Sequence, residues 1–250
     1  MGEKITMSEK VYMKLHSKIM NLNIKPGKNI SIKDICESMN VSRSPARDAI
    51  IRLEEEGLVE SIPQVGTRIT KIDLKTMEDE RYLRHCIEYK MYIDFLENDY
   101  LKPDLEKYEK IINLQMKAIE ENDFISFLEY DNKFHEILFE TTNRRFIWKV
   151  ITDNQAHYGR IRLLSLASMG VEHLEELVEE HKEMVGFMEK RDKDSLIEVL
   201  NKHISELVEE KFWLKDNYPD LINMDNESKE KINRLEENSF LDEIIRKQNV

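Results

Sequence analysis

One aspartate and three histidines stand out because each falls in the apolar phase of a helical pattern. Phe124, Leu128, Asp131, His135 and Leu138 step by four, three, four and three residues, the spacing of an inward helix face. Leu174, Val178, His181, Val185 and Met188 repeat that stripe, and Leu196, Leu200, His203 and Leu207 repeat it again. A lone core imidazole is ordinarily satisfied by a backbone carbonyl, but three in phase with an aspartate ask for a shared partner. A buried carboxylate is costly unless it is paired or bound to a metal. Asp131 and His135, one turn apart, can hold one ion from one helix face, with His181 and His203 closing the site from two neighbouring helices. Such oxygen and nitrogen donors suit a divalent transition metal ion, zinc foremost, with nickel, manganese or iron as alternatives. Coordination positions left open would take water or a ligand oxygen.

Two arginines belong beside that cluster. Arg84 lies seven residues from both Met77 and Met91, and Arg162 is in phase with Ile151, Gln155 and Tyr158. Each can turn into the bundle, or lie on the surface with its stem over apolar area. A metal ion together with a guanidinium favours a small carboxylate, because both take carboxylate oxygens. His16, His85 and His173 lack such a context and read as surface or packing residues.

A second chemistry lies in Ser42-Arg43-Ser44-Pro45-Ala46-Arg47. Arg43 and Arg47 are four apart, so both can face a DNA groove, where arginine holds guanine O6 and N7 bidentately. The hydroxyls of Ser42 and Ser44 at a helix N-terminus suit phosphate oxygens.

The elements that must position these groups are mainly helical. Val11, Leu15, Ile19 and Leu22 mark a first helix within residues 8–22, ended by Lys25-Pro26-Gly27. Ser31 can cap a second helix carrying Ile32, Ile35, Cys36 and Met39, and Ser42 a third that runs to Gly57. Leu58, Val59, Ile62, Val65, Ile69 and Ile72, spaced by Pro63 and Gly66, form one short hairpin. Helix, helix, helix and hairpin make a winged helix-turn-helix over residues 1–72. A boundary falls at Thr70 to Asp73, where Asp73 can cap a helix at Leu74. Helical periodicity dominates the chain from Leu74 onward, and 215–250 form a charged extension that fits a solvated helix, a tail or a dimer arm.

Composition narrows the function further. The net charge of −12 excludes a protein that coats nucleic acid, yet residues 1–72 carry 12 Lys and Arg against 9 Asp and Glu. The basic excess is therefore local to the winged segment. Only 7 Gly and 5 Pro leave no room for a large sheet or a Gly-rich phosphate loop, which excludes the common nucleotide enzymes. Cys36 and Cys86 lack paired spacing and read as buried thiols. No apolar run is long enough for a membrane span or signal peptide, so a cytoplasmic protein is expected.

The segment VSRSPARDAIIRLEEEGLVESIPQVGTRI resembles the signature of the GntR family of bacterial regulators, over about residues 8–72. That resemblance implies operator contacts from Arg43 and Arg47, from Lys33 on the second helix, and from Gln64, Gly66 and Thr67 at the wing tip. Ala46 replaces the valine usual there. Residues 73–214 resemble the FCD ligand-binding domain of the FadR subgroup, through DNKFHEIL, EEHKEMVGFMEKRD and NKHISEL, which implies an antiparallel all-helical bundle there. Metal-binding members of that group carry the same Asp, His, His, His order. By the same resemblance Arg84, in RHCIE, and Arg162 line the effector cavity, with Tyr158 and His157 at its border.

The reading that follows is a homodimeric repressor of double-stranded operator DNA, not an enzyme, whose DNA affinity is controlled by a small carboxylate effector at a metal site. An alternative is a metal-dependent hydrolytic domain fused to a DNA-binding module, since an ion with open positions can activate water. That alternative lacks a general base, because Glu136 and Glu180 are expected to turn away from the inward phase. A third reading makes the metal purely structural.

Overall fold

The computed structural model describes residues 5–205 and 213–223. The N-terminal head contains α1 (Met7–Met20), β1 (Asn29–Ile30), α2 (Ile32–Met39), α3 (Arg43–Glu55), β2 (Val59–Ile62) and β3 (Gly66–Ile69). Ser31 caps α2 by accepting from the Asp34 amide at 3.0 Å, and Asn40 ends it in the left-handed region with φ 53°. Val11, Leu15 and Ile19 of α1 pack on Ala46, Ala49, Ile50 and Leu53 of α3, forming the head's core with Leu58, Val59 and Ile69. The wing is the β2–β3 hairpin, with Gln64 at φ 64° and Gly66 at φ 118° in its turn. It gains a third strand that the sequence pattern did not show. β1 pairs antiparallel with β3 through Asn29 with Arg68 and Ile30 with Thr67, and two residues are too few to display an alternation.

The second part runs β4 (Ile72–Asp73), α4 (Leu74–Glu97), α5 (Leu105–Glu120), α6 (Phe124–Thr141), α7 (Arg145–Asp153), α8 (Tyr158–Met169), α9 (Val171–Lys190), α10 (Lys193–Ser205) and β5 (Ile222–Asn223). Aspartates start four of these helices: Asp73, Asp104, Asp123 and Asp192 accept from the amides of Thr76, Lys107, Ser126 and Ser195. Short turns fold α5 onto α6 and α9 onto α10 as helical hairpins. Phe95, Phe127, Phe134 and Phe139 are fully buried between them, each contributing about 1.5–3 kcal/mol by burial. Arg191, in the left-handed region at the α9 terminus, donates to the carbonyls of Leu96 (2.8 Å) and Leu101 (2.6 Å), which fixes the end of α4.

α8 differs from its neighbours. Every residue from Tyr158 to Leu166 is buried, so the helix lies inside the molecule and not on one face of it. Tyr158, Ile161 and Leu164 join Ile72, Leu74, Met77, Leu214 and Ile222 in a third apolar cluster at the junction with the head. β5 pairs in parallel with β4 there, Ile72 opposite Ile222. Part of the charged extension thus returns to the junction; Leu207 and residues 224–250 lie outside the described residues. Both thiols are free, and Cys86 is exposed on α4, contrary to the expectation of a buried residue; its neighbours Arg84, His85 and Glu88 take the inward positions instead. Among the described residues no helix is long and apolar enough to cross a membrane.

Candidate metal centre and DNA-reading surface

Asp131 and His135 on α6, His181 on α9 and His203 on α10 meet at one point inside the bundle. One donor atom from each lies within 4.8 Å of all the others. His203 Nε2 lies 3.2 Å from His135 Nε2 and 3.3 Å from His181 Nε2. Asp131 completes the group, Oδ1 being 3.7 Å from His181 Nε2 and Oδ2 4.0 Å from His135 Nε2. Asp131, His135 and His181 are fully buried, and His203 lines a cleft that opens to the surface.

The opposite nitrogens explain why the rings point this way. His181 Nδ1 donates to Gln115 Oε1 at 3.0 Å, and His203 Nδ1 donates to Glu180 Oε2 at 2.8 Å. His135 Nδ1 faces Glu88 Oε2 at 2.8 Å, an approach too oblique for an aligned hydrogen bond. With each Nδ1 engaged by an oxygen, the neutral rings turn three Nε2 lone pairs toward one another. Burial holds His135 and His181 below the ordinary imidazole value, His181 well below it, with His203 adding to the effect on His181. For Asp131, burial opposes ionisation, but Arg162 and the neighbouring His135, His181 and Arg84 outweigh it and hold the carboxyl well below its usual range. Burial likewise opposes ionisation of Glu88, which Arg84 and His135 bring down to about 2.

This donor set fits a transition metal. Two nitrogens bound about 2.0–2.1 Å from one tetrahedral zinc stand about 3.3 Å apart, the spacing seen between the Nε2 atoms. Three converging lone pairs beside a carboxylate repel one another unless a cation lies between them. Oxygens behind the rings are the outer-shell partners that such ligands ordinarily have.

Both sequence-singled arginines enter the site. Arg84 Nε donates to Glu88 Oε1 at 2.6 Å, and Arg162 donates to Asp131 Oδ2 and, at 3.0 Å, to Asn132 Oδ1. Arg84, Tyr158, Arg162 and His203 line the cleft with Ser165 and Leu177. Ile151 and Arg162 nonetheless do not share one helix, since α7 ends at Asp153 and α8 begins at Tyr158. His157 does not border the cleft. Its Nδ1 accepts from the Asp73 amide at 2.9 Å, at the junction with the head. His173, read as an ordinary residue, does line the cleft. Glu180 is buried and bonded to His203, not turned away as its position in the sequence pattern suggested. Asn132, Gln115 and Glu88 were missed; the i,i+4 spacing of Arg84 and Glu88 was the one signal present.

On the head, Ser42, Arg43, Ser44 and Arg47 are exposed while Ala46, Ala49, Ile50 and Leu53 of the same helix turn inward. Ser42 occupies the N-cap position without a side-chain capping bond. Among the described residues neither Arg43 nor Arg47 has an ion-pair partner. Lys33 is exposed on α2, 3.8 Å from Glu37, and Gln64 and Gly66 are exposed at the wing tip with Thr67 half-buried beside them.

A winged head with unpaired arginines opening its third helix, joined to an all-helical bundle, defines a two-domain DNA-binding transcriptional regulator. Residues 7–69 match the family described as bacterial regulatory proteins, gntR family, and residues 83–206 match the FCD domain. The chain belongs to the GntR family and carries an FCD domain. It is similar to the HTH-type transcriptional repressor RspR of Escherichia coli (strain K12), 28% identical over 203 residues, or 81% of this chain and 88% of that protein. The gluconate operon transcriptional repressor of Bacillus subtilis (strain 168) is 21% identical over 216 residues, 84% of this chain and 88% of its own length. E. coli McbR/YncC shares the fold with a TM-score of 0.69 at 17% identity, over 83% of this chain and all of that one. A putative GntR regulator from Rhodococcus sp. RHA1 has a TM-score of 0.68 at 17% identity, over 80% and 94%. Family and relatives are regulators of transcription, and the hydrolytic alternative falls away.

Proposed function

We propose that this chain is a cytoplasmic repressor whose hold on operator DNA is set by a small carboxylate bound at a metal ion in the helical domain. The observation that carries this reading is the convergence of three Nε2 atoms and a carboxylate, with each Nδ1 already engaged. Asp131, His135, His181 and His203 would hold the ion, zinc foremost. When bound, the ion supplies a Lewis-acidic centre that takes a carboxylate oxygen. Arg162 and Arg84, beside the same cleft, orient a second oxygen, and Tyr158 and Leu177 limit the space to a small molecule.

Residues 1–72 read DNA and residues 73–214 sense the ligand. Arg43 and Arg47 would contact base edges, Ser42 and Ser44 phosphates, and Lys33 with Gln64, Gly66 and Thr67 the flanking backbone. One head offers a small basic surface, so a homodimer on a palindromic operator supplies the affinity. Repression is the role carried in the names of the similar proteins RspR and the gluconate operon repressor.

A gel-shift titration with DNA upstream of its own gene tests the reading, with the protein zinc-loaded or chelator-stripped and with small carboxylates added. A specific complex whose affinity changes with a carboxylate only in the zinc-loaded form is expected. A complex indifferent to both zinc and carboxylates, in a protein that zinc merely stabilises, would reduce the ion to a structural role.

A further inference from the structure

Arg160 has the largest fully buried side chain among the described residues. Among them no carboxylate lies within ion-pair distance of it, so the charge of Glu80 compensates this buried cation only in part. Its guanidinium is held by neutral acceptors: the Ala156 carbonyl (2.6 Å), the Thr70 carbonyl (2.7 Å) and Thr70 Oγ1 (3.1 Å). Thr70 lies in the link between head and bundle, and its hydroxyl donates to the Gly57 carbonyl at 2.7 Å, just past the end of α3. Arg160 therefore grips the head where the recognition helix meets the wing.

Arg162 lies two residues further along α8. Successive positions on an α-helix turn by about 100°, so side chains two apart leave on nearly opposite faces. One face of α8 carries Arg160 to the head, and the other carries Arg162 to Asp131 and Asn132. Other contacts pin the start of α8 to the head. Ala156 lies in the head's apolar core, and a side chain at Gly159 would approach Met20 Cε to 2.7 Å, while Glu80 of α4 ties the same turn to the bundle by accepting from the amides of His157 (2.9 Å) and Tyr158 (2.7 Å). Burial on all sides leaves a shift of this helix no means of dissipating into solvent.

We propose that α8 is the rigid link between the ligand cluster and the DNA-reading head, with Arg160 as the positioning residue that transmits its movement to Thr70 and Gly57. The regulatory part of this inference rests on the reading of the cluster as the ligand site. The contact geometry of α8 does not. A ligand acts on DNA binding only if the two sites bias a common element, and α8 touches both.

Hydrogen–deuterium exchange of the full chain in chelator tests the link without any ion. Arg162→Lys is expected to raise exchange in peptides covering 57–59 and 68–73 by threefold or more, and Arg160→Met by tenfold. Changes from Arg162→Lys that stay within 131–136 and 158–166 would overturn the rigid link. Operator affinity, measured as the ratio between zinc-loaded and stripped protein, tests the coupling. The natural chain should show a ratio at least fivefold from one, and Arg160→Met a ratio within twofold of one, with zinc affinity kept within threefold. If Arg160→Met unfolds the head, Thr70→Val takes its place with the same expected ratio. A ratio unchanged by the substitution, or a ratio of one in the natural chain with zinc bound, overturns the coupling. Failure of zinc to bind at all removes the reading of the cluster and leaves the exchange result to decide on α8.

Discussion

His203 Nδ1 donates to Glu180 Oε2 across the α9–α10 hairpin at 2.8 Å, while Glu180 Oε1 lies 2.8 Å from Lys202 Nζ. Burial opposes ionisation of Glu180, but His203 and Lys202 together hold its carboxyl below the usual range. The charged oxygen fixes the ring tautomer that sends Nε2 into the cluster.

Glu180→Gln is accordingly expected to weaken zinc binding by about 10–100-fold, the usual cost of losing an outer-shell partner. Competition against a chromophoric chelator measures it. The change should leave His203 as a ligand, so one ion per chain still binds at saturating zinc. Affinity unchanged within twofold would show that Glu180 does not orient the ring.

On the DNA side, Arg47→Ala should cost about 1–3 kcal/mol of operator affinity and relax sequence preference, because a bidentate base contact is lost. Lys33→Ala should instead weaken specific and non-specific DNA alike, lowering the slope of log affinity against log salt by about 1. Fluorescence anisotropy over a salt series separates the two. A salt-slope change without loss of specificity in Arg47→Ala would move that residue from the bases to the backbone.

The junction carries a pH dependence whose sign is fixed. His157 is lowered to about 4, by burial first and by the Arg160 guanidinium second, and its neutral Nδ1 accepts from the Asp73 amide. The unfolded ring titrates near about 6.5. Between those values the unfolded chain binds a proton that the folded chain refuses, so stability falls as pH drops from about 6.5 to about 4. His157→Gln keeps an acceptor but does not titrate. Urea unfolding at pH 7 and 4.5 should show the natural chain losing roughly 2–3 kcal/mol more than the variant. Equal losses would mean that the ring is protonated in the folded junction.

Much of this architecture is legible in the sequence because its signals are periodic. The inward stripes through His135, His181 and His203 needed only helical spacing, and Ser31 and Asp73 mark helix starts by their chemistry. What escaped depends on neighbours distant in the chain. Gln115 meets His181 across 66 positions and Glu88 meets His135 across 47, so no local pattern could pair them. α8, buried all round, has no polar face against which phase can be read, which hid Arg160 and carried the phase of Arg162 across a helix break. The strand β1 is too short to announce itself.

Metal content decides whether Asp131, His135, His181 and His203 hold the proposed transition-metal ion. Elemental analysis of the purified full chain, as isolated and after stripping and reloading with zinc, should give one ion per chain. The double substitution His135→Ala and His181→Ala should remove it while far-ultraviolet circular dichroism shows the helices retained. A natural chain that neither carries nor takes up a transition metal at micromolar zinc, or a double variant that still binds one ion per chain, would rule out this metal site.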